Sequence, residues 1–188
     1  MTKGRLIVVS GPSGVGKDTV VSEYLKLHPE DKLSVSMTSR PKRDYEVDGV
    51  HYYFRTKEGF VEEINKGNLL EYATYNGNYY GTPKSEVIKR LEDGINVILV
   101  IEVQGARNIK NMLGKDALLI FVLPPSLEAL KERLLNRGTD SIDVINERLE
   151  IAKKEIEENT FYDYKIINDD LDTAVKSLEN IIKNNINH

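Results

Sequence analysis

The 188-residue chain predicts an α/β fold: a parallel sheet between two layers of helices, three layers in all, interrupted by an inserted mixed lobe and a helical lid. Three observations carry that prediction. Short β-branched apolar runs alternate with helical patterns. A glycine-rich turn joins the first run to the first helix. A tyrosine-rich stretch with several turn signals breaks the alternation between residues 34 and 83.

The apolar runs predict four buried parallel strands at Arg5–Ser10, Val97–Val103, Leu118–Leu123 and Lys165–Asn168. Helical patterns cover Thr19–Leu27 and Lys84–Glu92. Ser126 is placed to cap a further helix, Leu127–Asn136, because its hydroxyl can accept from the first free N–H groups. Ile142, Ile145, Leu149, Ala152 and Ile156 step by three and four, which lays one apolar stripe along a helix. Leu171, Val175, Leu178 and Ile182 repeat the pattern in the last one. The stretch 34–83 holds seven of the ten tyrosines and the turn signals Asp48-Gly49 and Asn76-Gly77. Within it His51–Arg55 and Leu69–Tyr75 read as antiparallel strands. The expected organisation is one domain, with a core of 1–33, 84–125 and 151–188, a lobe of 34–83 and a lid of 126–150.

Composition narrows the classes of function. A net charge of −4 supplies no overall attraction to nucleic acid or to a membrane surface, so any phosphate recognition must be local. With no cysteine there is no disulfide, thiolate metal site or cysteine nucleophile, which fits the cytoplasm. The apolar run at Leu6–Val9 is too short for a signal peptide, and no stretch approaches the ~20 apolar residues of a membrane span. The three histidines, 28, 51 and 188, form no ligand cluster.

Chemistry first shows in Gly11-Pro12-Ser13-Gly14-Val15-Gly16-Lys17-Asp18-Thr19, directly after an apolar strand and before a helix. Glycines at 11, 14 and 16 let the backbone aim consecutive N–H groups inward, and the helix adds its positive end. Lys17 can then reach between the β- and γ-phosphates of a nucleotide. A functionless glycine turn would not need the lysine, the spacing and the strand–loop–helix context together. One position departs from the motif: Asp18 stands where a Ser or Thr hydroxyl usually meets Mg²⁺.

The tyrosine-rich stretch offers a site for a second substrate. Around the bend at Pro41, Ser36, Arg40 and Arg43 present a hydroxyl and two guanidinium groups, and guanidinium binds phosphate through two parallel hydrogen bonds. Tyr52 and Tyr80 could add phenolic donors, although each also reads as an ordinary strand tyrosine. Glu71 follows two leucines on an apparent strand, where a buried carboxylate needs partners. Guanine offers two adjacent donors, N1–H and the 2-amino group, while adenine presents an acceptor at N1; a solvated edge glutamate is the plainer alternative. Arg133 and Arg137 share a helix face, and Arg148 rises from the next helix. Such arginines suit a lid over a migrating phosphoryl group, although charged helical residues usually just face solvent.

Taken together, GPSGVGK at 11–17, SRPKR at 39–43, GNYYGTP at 77–83, EVQG at 102–105, FVLPPS at 121–126, NRG at 136–138 and INDD at 167–170 resemble the guanylate kinase family across nearly the whole chain. The resemblance implies the fold of a P-loop NTPase kinase and transfer of the γ-phosphoryl group of Mg·ATP to GMP, with Mg²⁺ as cofactor. It implies that Ser36, Arg40, Arg43, Tyr52 and Tyr80 hold the GMP phosphate or its surroundings, and that Glu71, Thr82 and Glu102 read the guanine. It implies catalytic roles for Lys17, Arg137 and Arg148 on the phosphates, and places Asn168 at the adenine end of ATP. Val100 departs from an acidic residue expected two positions before Glu102. The rival expectation is a non-catalytic, protein-binding module of the same fold; such modules resemble the family without an intact phosphate loop, and here Gly11–Lys17 is intact.

Overall fold

The first apolar run becomes β1 (Leu6–Ser10), buried along its whole length, and α1 (Lys17–Leu27) follows the glycine loop. Next come β2 (Lys32–Leu33), β3 (Met37–Thr38), β4 (Tyr53–Phe54), α2 (Lys57–Asn65), β5 (Leu69–Tyr75), β6 (Asn78–Pro83) and α3 (Lys84–Glu92). The chain continues through β7 (Val97–Val100), α4 (Val103–Leu113), β8 (Ala117–Leu123), α5 (Leu127–Asn136), α6 (Ile142–Glu157), β9 (Tyr164–Ile167) and α7 (Leu171–Ile186). The computed structural model describes residues 3–138 and 140–186. Thr139 of the expected lid and His188 lie outside them.

Five strands form one sheet in the order β2-β7-β1-β8-β9, and the β2–β7 and β8–β9 pairs are parallel. The other four form a second sheet, β4-β3-β6-β5, with β6 antiparallel to both its neighbours. The expected α/β fold with a parallel sheet is therefore present.

Three expectations need correction. The strand in His51–Arg55 is β4, and it pairs parallel to β3 rather than antiparallel. A long connection through residues 39–52 separates the two, long enough for the crossover that a parallel pair requires. The strand expected to reach Val103 ends at Val100, and α4 starts at Val103. The apolar run continues past the strand to Ile101 and resumes at Val103 in the helix, so hydrophobicity alone does not reveal where one gives way to the other. The elements β2, β3, α2, β6 and α4 are additions to the expected set, although Val103, Ala106 and Ile109 of α4 are buried at a helical spacing that the sequence displays.

The chain divides into two compact units. One comprises 1–7, 30–99 and 104–117; the other comprises 8–29, 100–103 and 118–188. In the first, Met37, Phe60 and Leu69 form a small core with Tyr53, Ile64 and Tyr79 packed against it. Phe60 and Tyr79 stack with ring centroids 5.2 Å apart. The β5–β6 hairpin turns at Asn76 and Gly77, both at positive φ (47° and 72°), the pairing that a two-residue turn of matching twist requires.

In the second unit, α5 and α6 close on Leu130, Leu134, Ile145 and Ala152, with Leu149 against them. Ile145, Leu149 and Ala152 are members of the stripe read from the sequence, but Ile142, its first member, is exposed. The cap read at Ser126 is present: its Oγ accepts from Ala129 N at 3.0 Å. Among the described residues no helix is long and apolar enough to cross a membrane.

Phe60 is fully buried at the centre of this small core, where its partners Met37 and Leu69 keep some exposure. Phe60→Ala should therefore lower unfolding stability by about 3–4 kcal/mol, read from urea denaturation. A loss below about 1 kcal/mol would show that this core does not hold the sheet.

Candidate active site

Residues 11–16 must turn between the end of β1 and the first residue of α1. Gly16 sits in the left-handed region at φ 91° as the N-cap of α1 and brings no side chain to cap it. The first N–H groups of the helix are thus left for an anion. A Cβ on Gly11 would lie 2.4 Å from the Val122 carbonyl oxygen, so the loop packs against β8 only because this residue is glycine. Lys17 is buried, and its Nζ donates to Gly11 O at 3.3 Å. Asp18 stands exposed in the first turn, where its charge meets the helix dipole.

The Val15 carbonyl is a junction. It accepts from Asn168 Nδ2 at 2.9 Å and from Arg133 Nη1 at 3.2 Å, while Arg133 Nη2 donates to Asn168 O at 2.7 Å. Loop, α5 and the turn after β9 are tied at one atom. Beside them lies a cavity of about 460 Å³ lined by Gly14, Gly16, Thr19, Arg137 and Asn168 among others. Arg137, the C-cap of α5, therefore stands at the same cavity as the phosphate loop. Arg133, which the sequence pairs with Arg137 on one helix face without separating it from a solvated arginine, is a structural tie of the loop.

Arg148 on α6 pairs with Asp140 at 3.2 Å, leaving its Nε buried without a hydrogen-bond partner. Glu102, just past β7, acts electrostatically on Glu155 of α6, as does Lys17. Burial pushes the Glu155 carboxyl up to about 7, with Glu102 adding to the effect and Lys17 opposing it. Nothing in the sequence singled out Glu155.

The other unit carries the expected acceptor residues. Glu71 and Thr82 are cross-strand partners on β5 and β6, and Thr82 Oγ1 donates to Glu71 Oε1 at 2.8 Å. Glu71 is only 5% exposed, and its carboxyl makes no other hydrogen bond among the described residues. Desolvation pushes its carboxyl up to about 7 against the opposing Thr82 hydrogen bond. It is a buried acceptor with capacity to spare, which rules out the solvated edge glutamate.

Arg40, Tyr52 and Tyr80 are brought together. The Arg40 guanidinium lies 5.5 Å from the Tyr52 ring centroid, and the Tyr52 and Tyr80 rings meet edge-on at 6.2 Å. Arg40's fork is already engaged, by Glu46 at 2.6 and 3.0 Å. That hydrogen bond holds the Glu46 carboxyl below its ordinary range and the Arg40 guanidinium above its own. Glu46 also accepts from Arg43 N, so it organises the whole bend. Sequence reasoning missed Glu46, because loop partners six residues apart follow no periodicity. Arg43 turns outward, with Nη1 on Tyr45 Oη at 2.9 Å, and Ser36 precedes β3 half-buried.

Comparison with known proteins gives a consistent family. Residues 3–185 match the family model described as Guanylate kinase. The chain is 52% identical over 183 residues to a guanylate kinase of Streptococcus agalactiae, covering 96% of this chain and 87% of the relative. It is 49% identical to one from Enterococcus faecalis, over 96% and 88% of the two chains. A crystal structure of guanylate kinase from Anaplasma phagocytophilum superposes with a TM-score of 0.82 at 32% identity, over 97% of this chain and 86% of that one.

The buried Glu71 carboxyl has a consequence for stability. Its proton is held more tightly in the folded chain than in the unfolded one, so its contribution is fully present below about pH 4.5 and is lost as pH rises through about 7. Glu71→Gln has no charge to desolvate. Above pH 7 the variant should be more stable than the wild type by about 2 kcal/mol, read from thermal unfolding at several pH values, and the two should converge below pH 5. Equal melting temperatures at pH 8 would show that the carboxylate is solvated.

Proposed function

The chain belongs to the guanylate kinase family, and from that premise we infer that it is an enzyme that transfers the γ-phosphoryl group of ATP to GMP, giving ADP and GDP. The observation that carries the acceptor's identity is the Glu71–Thr82 pair. A buried carboxylate with unused acceptor capacity matches guanine's adjacent N1–H and 2-amino donors, and once ionised it opposes the lone pair at adenine N1. On this reading the stretch 34–83 receives GMP, with Ser36, Arg40, Arg43, Tyr52 and Tyr80 serving its phosphate and Glu71, Thr82 and Glu102 its base. Residues 1–33, 84–125 and 151–188 form the core, and 126–150 serves as the lid.

The donor's phosphates rest on residues 11–19, with Lys17, the loop amides, Arg137 and Arg148 meeting the charge that spreads over the transferring oxygens. Asn168 lies toward the adenine and fixes the loop through Val15. A GMP phosphate oxygen, already ionised at neutral pH, bonds to the γ-phosphorus as the bond to the β,γ-bridging oxygen breaks, and the electron pair leaves with ADP. No general base is needed. Mg²⁺ would neutralise the β- and γ-oxygens when bound. Among the described residues no three metal-ligating side chains stand together, which fits an ion carried in on the triphosphate, with Asp18 at the first turn of α1 able to reach its water shell. The cysteine-free composition supports a cytoplasmic location.

The alternative of a binding module without catalysis is not favoured, since the relatives are guanylate kinases and the loop, Lys17 and the arginines are all present. The test is turnover of a nucleoside monophosphate panel with Mg·ATP. GMP should be used well, and AMP, CMP and UMP poorly, because unpaired polar groups separate substrates by about 10²-fold or more. Equal use of AMP and GMP would sink the reading. Arg137→Ala should lower kcat by about 10²-fold while changing the KM for GMP little, because the charge it meets develops in the transition state. An unchanged kcat with a raised KM for ATP would reduce Arg137 to a ground-state contact.

A further inference from the structure

The transfer reaction set out above gives Arg133 no task, yet this side chain bridges two segments of the donor site. Its Nη1 donates to Val15 O at 3.2 Å and its Nη2 to Asn168 O at 2.7 Å, across 118 and 35 residues of chain. A planar guanidinium serves two such acceptors at once only in one orientation, so the bridge fixes the turn of α5 that bears it. The loop does not depend on the bridge alone, because Val15 O also accepts from Asn168 Nδ2 at 2.9 Å. What the bridge adds is a seat for α5. Apolar packing marks the same seat: a Cβ on Gly14 would lie 2.7 Å from Leu134 Cδ2, so the glycine lets α5 rest directly on the loop. One turn beyond Arg133, on the same face, the helix ends at its C-cap, Arg137, still in helical conformation. Both arginines line the cavity beside Gly14, Gly16 and Asn168.

We propose that Arg133 is a positioning residue for phosphoryl transfer: by bridging the Val15 and Asn168 carbonyls it docks the end of α5 on the phosphate loop, and so sets where Arg137 stands. The inference rests on the reading that Arg137 meets the charge on the transferring oxygens. It assigns Arg133 no contact with either substrate. A helical turn is only about 5.4 Å long, so a tie at one end of it leaves little slack at the other. Packing just past Arg137 does not replace the tie, because a Cβ on Gly138 would meet nothing within 4 Å. Without the bridge, Val15 keeps its hydrogen bond to Asn168, and the part that comes loose is the end of α5. A displacement of that end of about 1 Å is enough to cost much of what a catalytic arginine contributes.

Steady-state kinetics with Mg·ATP and GMP test this through the split between kcat and KM. Arg133→Met keeps the apolar stem and removes the fork; it should lower kcat about tenfold while the KM for GMP stays within about twofold. Arg133→Lys keeps the charge but cannot hold two carbonyls in one plane, and should lose about three- to fivefold in kcat. It gives the same split if the methionine variant does not fold. In a chain that carries Arg137→Ala, adding Arg133→Met should lower kcat by less than about twofold more, since the group it positions is gone. A methionine variant with the wild-type kcat and a raised KM for ATP would overturn the proposal and make Arg133 a direct contact of the donor. A lysine variant that matches the wild type would overturn it in favour of charge alone. An equal loss with and without Arg137→Ala would overturn it in favour of the loop or the packing as a whole. Arg137→Ala by itself tests the underlying reading: if it keeps its kcat, that reading and this proposal fall together. If it loses kcat and Arg133→Met does not, the proposal alone falls.

Discussion

Cations held in a folded chain have to be balanced, because a guanidinium or ammonium taken out of water without a partner costs several kcal/mol. The resting arrangement of this chain follows from that constraint. Arg40 is forked onto Glu46, and Arg148 is paired with Asp140. The two carboxylates come from different local devices: a loop that folds back on itself, and the segment just before α6. The bend at 40–46 is ordered because Glu46 ties together Arg40 and the Arg43 amide, so the structure of the loop and the storage of its charge are one arrangement.

Glu71 meets the opposite problem. On the reading proposed above it is an acceptor kept for the donors of a bound base, and its burial favours the protonated form in the empty protein. Thr82 offers one hydrogen bond across the strand pair, enough to orient the carboxyl without using it up. A site of this kind costs stability in the empty protein and repays it as discrimination, since a base that cannot donate leaves the carboxylate unpaired.

Much of this was legible in the sequence because local chemistry and position agreed. The glycines and Lys17 can form a phosphate loop only between a strand and a helix, and that is where they lie. Ser126 announced a cap, Asn76-Gly77 a tight hairpin turn, and Ile145, Leu149 and Ala152 a helix-packing stripe. Glu71 drew notice because a charge amid apolar strand residues is costly without a purpose. What escaped depended on contacts that no spacing encodes. Glu46 reaches Arg40 through an irregular loop, and Arg133 is set apart from a solvated arginine only by two carbonyls far along the chain, Val15 and Asn168. Glu155 lies on a helix whose apolar stripe was recognised, but its neighbours Lys17 and Glu102 come from elsewhere. The parallel pairing of β4 was lost for the same reason, since a long connection hides the direction of the strand it leads to.

The fork between Arg40 and Glu46 also bears on how substrate capture responds to the surrounding electrolyte. If a phosphate takes over the guanidinium, one anion leaves it as another enters, and the number of ion pairs is the same before and after. Association by simple addition gains a new pair and is weakened as dissolved ions screen it. Association by substitution trades one screened pair for another, so most of that dependence cancels. A phosphate pocket whose cation is already engaged gives up some intrinsic affinity, and in return its grip varies little between dilute and concentrated salt.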